Sequence, residues 1–82
     1  MILLNSLNQV RSIIINTITG TEKAIVVLGK FFIADRVYNS VQEAIAACRG
    51  DLDLGKAIVI APDENQFKVW VMVPNELILQ VF

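Results

Sequence analysis

Eighty-two residues make one domain with room for one modest core. Hydrophobic residues are 55% of the chain and charged ones only 18%, below the usual charged share of about 25%. Seven basic and eight acidic side chains leave a net charge of −1 with no basic cluster, which argues against nucleic acid as a partner, and no apolar run approaches the ~20 residues that span a membrane.

The opening Met1-Ile2-Leu3-Leu4 is apolar but lacks a basic leader and is soon interrupted by Asn5, Ser6, Asn8, Gln9 and Arg11, so it does not read as a secretory signal. Cys48 is the only cysteine, which rules out an intrachain disulfide. A cytoplasmic protein is the expectation. Leu3, Leu7, Val10, Ile14 and Ile18 recur at helical spacing, and Ser6 with Gln9 has the form of a capping box. The β-branched run Ile13–Thr19 favours a strand instead. Together they suggest a short N-terminal helix near Ser6–Arg11 and a strand from about Ser12 to Thr19.

Thr19-Gly20-Thr21 signals a turn, and Glu22–Leu28 reads as a strand. Gly29-Lys30 suits a two-residue hairpin loop with glycine first, followed by a return strand over Phe31–Val37. That strand alternates imperfectly: Phe31, Ile33 and Val37 share a side with Asp35, and Phe32, Ala34 and Tyr38 share one with Arg36. A single strand bent at Gly29 is the alternative.

The clearest stretch runs from Asn39 to Val73. Ser40 followed by Glu43 forms a capping box, and Val41, Ala44, Ile45 and Cys48 fall on one helical face. Arg49 suits the negative end of a helix, and Gly50 suits its termination, so the helix is predicted over residues 40–49. If strands on either side of it are parallel neighbours, the connection is a right-handed crossover. Lys56–Ala61 and Phe67–Val73 flank the polar stretch Pro62-Asp63-Glu64-Asn65-Gln66 and form a hairpin. Phe67, Val69, Val71 and Val73 share the face expected under the helix, leaving Lys68, Trp70 and Met72 on the other. A five-residue loop places Trp70 opposite Ile58, and a four-residue loop places it opposite Val59. After Pro74-Asn75, Leu77, Leu79 and Val81 alternate with Ile78, Gln80 and Phe82, a last short strand or an apolar tail.

Catalytic and metal-binding chemistry finds little footing. The absence of histidine removes the usual general base and the commonest metal ligand. Cys48 on an apolar helical stripe reads as a small buried hydrophobe. Asp51, Asp53 and Gly55 open like a calcium loop, but Pro62 stands where that loop needs its final glutamate. Gly50 and Gly55 lack the spacing and the lysine–hydroxyl ending of a phosphate-binding loop. Asp63-Glu64 belongs to a hairpin tip. No enzyme activity, cofactor or metal site is expected.

The expectation is therefore one α+β domain over residues 1–82: a largely antiparallel sheet of about five strands with one capped helix packed on a face. High apolar content with little charge points to a homo-oligomer that also binds a protein partner, without nucleic acid or membrane. The partner-binding candidates are Lys68, Trp70 and Met72, because tryptophan and methionine are enriched in interface cores. The function expected is a small non-catalytic interaction or regulatory module. Two alternatives are a sensor with an apolar pocket lined by Trp70, Phe31, Phe32 and Tyr38, and an accessory subunit of a larger enzyme complex.

Overall fold

The computed structural model describes residues 1–6 and 10–81, with the side chain of Val81 left out of the description. Its elements are β1 (Ile2–Leu3), β2 (Arg11–Thr17), β3 (Gly20–Val27), β4 (Lys30–Tyr38), α1 (Val41–Asp53), β5 (Ile58–Asp63), β6 (Gln66–Met72) and β7 (Ile78–Val81). A 3-10 turn at Asn75–Leu77 leads into β7. Among the described residues the strands form one seven-stranded sheet in the order β1-β5-β6-β4-β3-β2-β7. Every pairing is antiparallel except β1 with β5. The α+β class holds, with seven strands rather than about five. The added ones are short: β1 at one edge and β7 at the other. Of the helix expected near Ser6–Arg11, residues 7–9 lie outside the described residues, and Arg11 already belongs to β2.

The first central hairpin has its expected two-residue loop shifted by one position, and the second turns more tightly than expected. Leu28 and Gly29 form the first loop, both with positive φ (51° and 75°), and Val27 pairs with Lys30. The predicted Gly29-Lys30 loop would have left each side chain on the same face, so alternation alone did not distinguish the two registers. Glycine fits the second position of this turn as well as the first of the other. In the second hairpin only Glu64 and Asn65 lie between the paired residues Asp63 and Gln66. Val59 faces Trp70, the register expected of the shorter loop. Pro62 is accommodated in β5 because β1 pairs only with Val59 and Ile60, so among the described residues no strand pairs with the proline on that side to need its missing N–H.

α1 begins as the capping box implies. The Glu43 N–H donates to Ser40 Oγ at 3.1 Å, although the Glu43 carboxylate accepts from the Asn39 N–H (3.2 Å) rather than from Ser40. The helix then passes through Gly50 and ends one turn later than expected, at Asp53. Lys56 N–H donates to the Asp51 carbonyl and Gly55 N–H to that of Leu52, both at 3.0 Å. This pattern needs a left-handed residue, and Gly55 with φ 79° provides it. The extra turn adds Leu52 to the buried side and leaves Arg49 within the helix.

The sheet is covered on both faces. Under α1, Ala44 and Cys48 rest on Ile58, Ile60 and Val69, flanked by Phe67 and Val71, as the alternation of β6 implied. Val73 packs farther along, against Ile15 and Ala24. A bulge in β4 between Ala34 and Val37 explains its imperfect alternation: Val37 moves opposite Lys68, and Tyr38 opposite Phe67 on the helix side. The other face carries Ile25, Val27, Phe32, Val59, Ala61 and Trp70, with Ile2, Leu4, Val10 and Ala57 packed against them. Burying side chains of this size contributes roughly 1.5–3 kcal/mol each.

Candidate binding surface

Lys68, Trp70 and Met72 alternate along β6 and project from one face, as expected. Their environments differ sharply. Trp70 is only 7% exposed and is enclosed by its own chain, against Ile25, Val27, Phe32, Val59 and Ala61. Its Nε1 has no hydrogen-bond partner among the described residues. Lys68 is occupied within the subunit: its Nζ lies 3.2 Å from Asp63 Oδ2 and 5.6 Å from the centre of the indole ring. Met72 is the open member, 37% exposed at the end of the strand.

The open end of β6 borders a cleft of about 550 Å³ lined by Asp51, Gly55, Lys56, Ala57, Ile58, Val71, Met72 and Pro74. Three features build it. The Gly55 turn lifts the chain away from the last turn of α1, the Met72 N–H donates to the Ala57 carbonyl at 3.4 Å, and Pro74 turns the chain out of β6. Val71, Ile58 and Ala57 supply an apolar floor. Lys56 Nζ and Asp51 Oδ1 pair at 3.4 Å beside it, an exposed ion pair worth little to stability. A smaller hollow of about 280 Å³, lined by Lys30, Met72, Val73, Pro74, Asn75 and Glu76, shares Met72 and Pro74 with the first.

This corner can shelter an apolar group beside a polar lip. The titratable side chains of the larger cleft are Asp51 and Lys56, which pair with each other. Cys48 lies apart from it, 5% exposed; burial, then the carboxylates of Asp51 and Asp35, raise the thiol above its ordinary pKa and keep it protonated. Among the described residues no group of three or more histidine, cysteine or acidic side chains is placed to hold a metal ion, and no helix is long and apolar enough to cross a membrane.

The four aromatic residues considered for a pocket do not converge. Phe32 lies with Trp70, Phe31 packs with the Ile15 cluster on the opposite face, and Tyr38 lies against the helix cluster. The residues that do form the cleft went unremarked as a group because they are distant in sequence. Their only signal was Gly55 and Pro74, two places where the chain turns away from a regular element.

No family model, no curated protein and no solved structure matches the chain.

Proposed function

We propose that this protein is a small non-catalytic interaction module that self-associates and takes a protein partner at the Met72 corner. The cleft between the end of α1 and β6 is the observation that supports it. An apolar side chain of the partner enters between Val71, Met72 and Pro74, and the Asp51–Lys56 pair lies at the rim. Such an apolar anchor within a polar border is how interface hot spots are built. Methionine suits the position because its unbranched thioether adapts to different shapes.

The chain contains two methionines, Met1 and Met72, so methyl-labelled methionine gives a two-line spectrum. Peptides selected from a displayed random library against the folded protein should shift the Met72 line and leave Met1 in place. Pro74→Arg, at an exposed position on the rim, should weaken those peptides about tenfold or more. Peptides that bind without moving the Met72 line would overturn the proposal.

The size and apolar lining of the cleft also favour a second reading, a small apolar ligand, since such pockets commonly measure ~300–1,000 Å³. Medium-chain alcohols would then shift the Met72 line saturably and raise the melting temperature, without any peptide doing so.

A further inference from the structure

β7 closes one side of the sheet, and its outer edge has no strand neighbour among the described residues. Its inner edge pairs with β2 through Ile15–Val81, Asn16–Gln80 and Thr17–Ile78, which leaves Leu79 as the extra residue of a bulge. Leu79 is 67% exposed, and Ile18 and Leu77 at the near end of the strand are 64% and 36% exposed. Residues 77–81 include no charge and no proline. Natural edges are commonly protected by lysine, proline, a cover or a bulge. Among the described residues the bulge is the one such device at β7, and it shortens the edge without closing it. The opposite edge is different: β1 is two residues long and offers little to pair with.

We propose that β7 pairs antiparallel with β7 of a second copy, continuing the sheet across a two-fold axis. This rests on the reading of the protein as a self-associating module and names the surface it uses. An open strand edge is a row of alternating N–H and C=O groups, so its complement is another strand. A two-fold axis turns that row onto itself, matching donors to acceptors without a second kind of partner. It also brings the exposed Leu79 of one copy beside Leu79 of the other. Charge does not oppose it. With the axis between Leu79 and Gln80, the two Glu76 residues lie about 24 Å apart along the strands. An interface of this extent belongs to the weak, concentration-dependent class.

Sedimentation velocity of the full chain from micromolar to near-millimolar concentration tests it. The unaltered chain should pass from monomer to dimer. Leu79→Lys should weaken association by about tenfold or more, since a lysine on an edge opposes pairing. Leu28→Lys, at an 85% exposed position in the β3–β4 turn, should leave it unchanged. Trp70 fluorescence verifies folding of each variant. Amide exchange on the unaltered chain is the second measurement, with protection of β7 rising as concentration rises. A monomer at every concentration, equal weakening by both lysine variants, or β7 protection independent of concentration would each overturn the pairing. Peptide shifts at Met72 are read separately on Leu79→Lys, so losing the β7 dimer and losing the Met72 corner are distinct results.

Discussion

The two faces of the sheet are hidden by different kinds of cover. On one, α1 lays Ala44 (0% exposed) and Cys48 (5%) directly onto Ile58, Ile60 and Val69. The helix bonds its own backbone, and both of its ends are capped. On the other, Ile2, Leu4 and Val10 lie against the cluster around Trp70 and Phe32. That cover is anchored to β5 through the two-residue pairing of β1 and through the Leu4 N–H, which donates to the Ile60 carbonyl at 2.9 Å. Among the described residues the indole N–H has no partner, and an unpaired buried polar group of this kind costs roughly 1–3 kcal/mol. A regular element brings its own hydrogen bonds to the surface it covers. An irregular segment excludes water equally well but does not guarantee the bonding.

The largest effect is expected where the less regular cover meets the core. Phe32→Ala should cost about 3–5 kcal/mol in urea denaturation followed by Trp70 fluorescence, since Phe32 is 2% exposed at the centre of that cluster. A loss below about 1 kcal/mol would mean the face is loosely packed and the comparison is wrong. Next in size, Ser40→Ala removes the acceptor for the Glu43 N–H and should cost about 1 kcal/mol. Its signature is faster amide exchange in the first turn of α1, with the amides of Ile2–Leu4 unchanged. Smallest is Trp70→Phe. It removes a donor that has no partner among the described residues along with some packing, so the two changes partly cancel and the net loss should stay below about 1 kcal/mol by circular dichroism. Trp70→Ala, which empties the site, should cost about 3–5 kcal/mol. Equal losses for the two substitutions would show that the indole N–H is engaged after all.

The same contrast explains what could be read from residues alone. α1 carried its start in Ser40 and Glu43 and its buried stripe in Ala44 and Cys48, all local signals. The faces of β6 followed from strict alternation, and Phe67, Val69 and Val71 do lie under the helix. Its end was misplaced because Gly50 and Gly55 are both plausible stops, and only the hydrogen bonds of Lys56 and Gly55 distinguish them. β1 was invisible: two residues have no periodicity, and Ile2 becomes a strand only because Val59 lies beside it. The environment of Trp70 was beyond local pattern for the same reason, since its enclosure depends on Ile25, Phe32 and the N-terminal residues arriving from elsewhere. Met72 could be named as exposed apolar surface, but the cleft beside it required Gly55, Ala57 and Pro74 to converge.

The positions of β1 and β7 bear on the order of assembly. The β2–β3, β3–β4 and β5–β6 ladders join near neighbours in the chain, whereas Ile2 must find Val59 and Val81 must find Ile15. Distant pairings carry the larger loop-closure penalty and form slowly. The central hairpins therefore have time to appear first, with both margins of the sheet joining late. During synthesis β1 waits for β2, β3, β4 and α1 to emerge before its neighbour β5 exists.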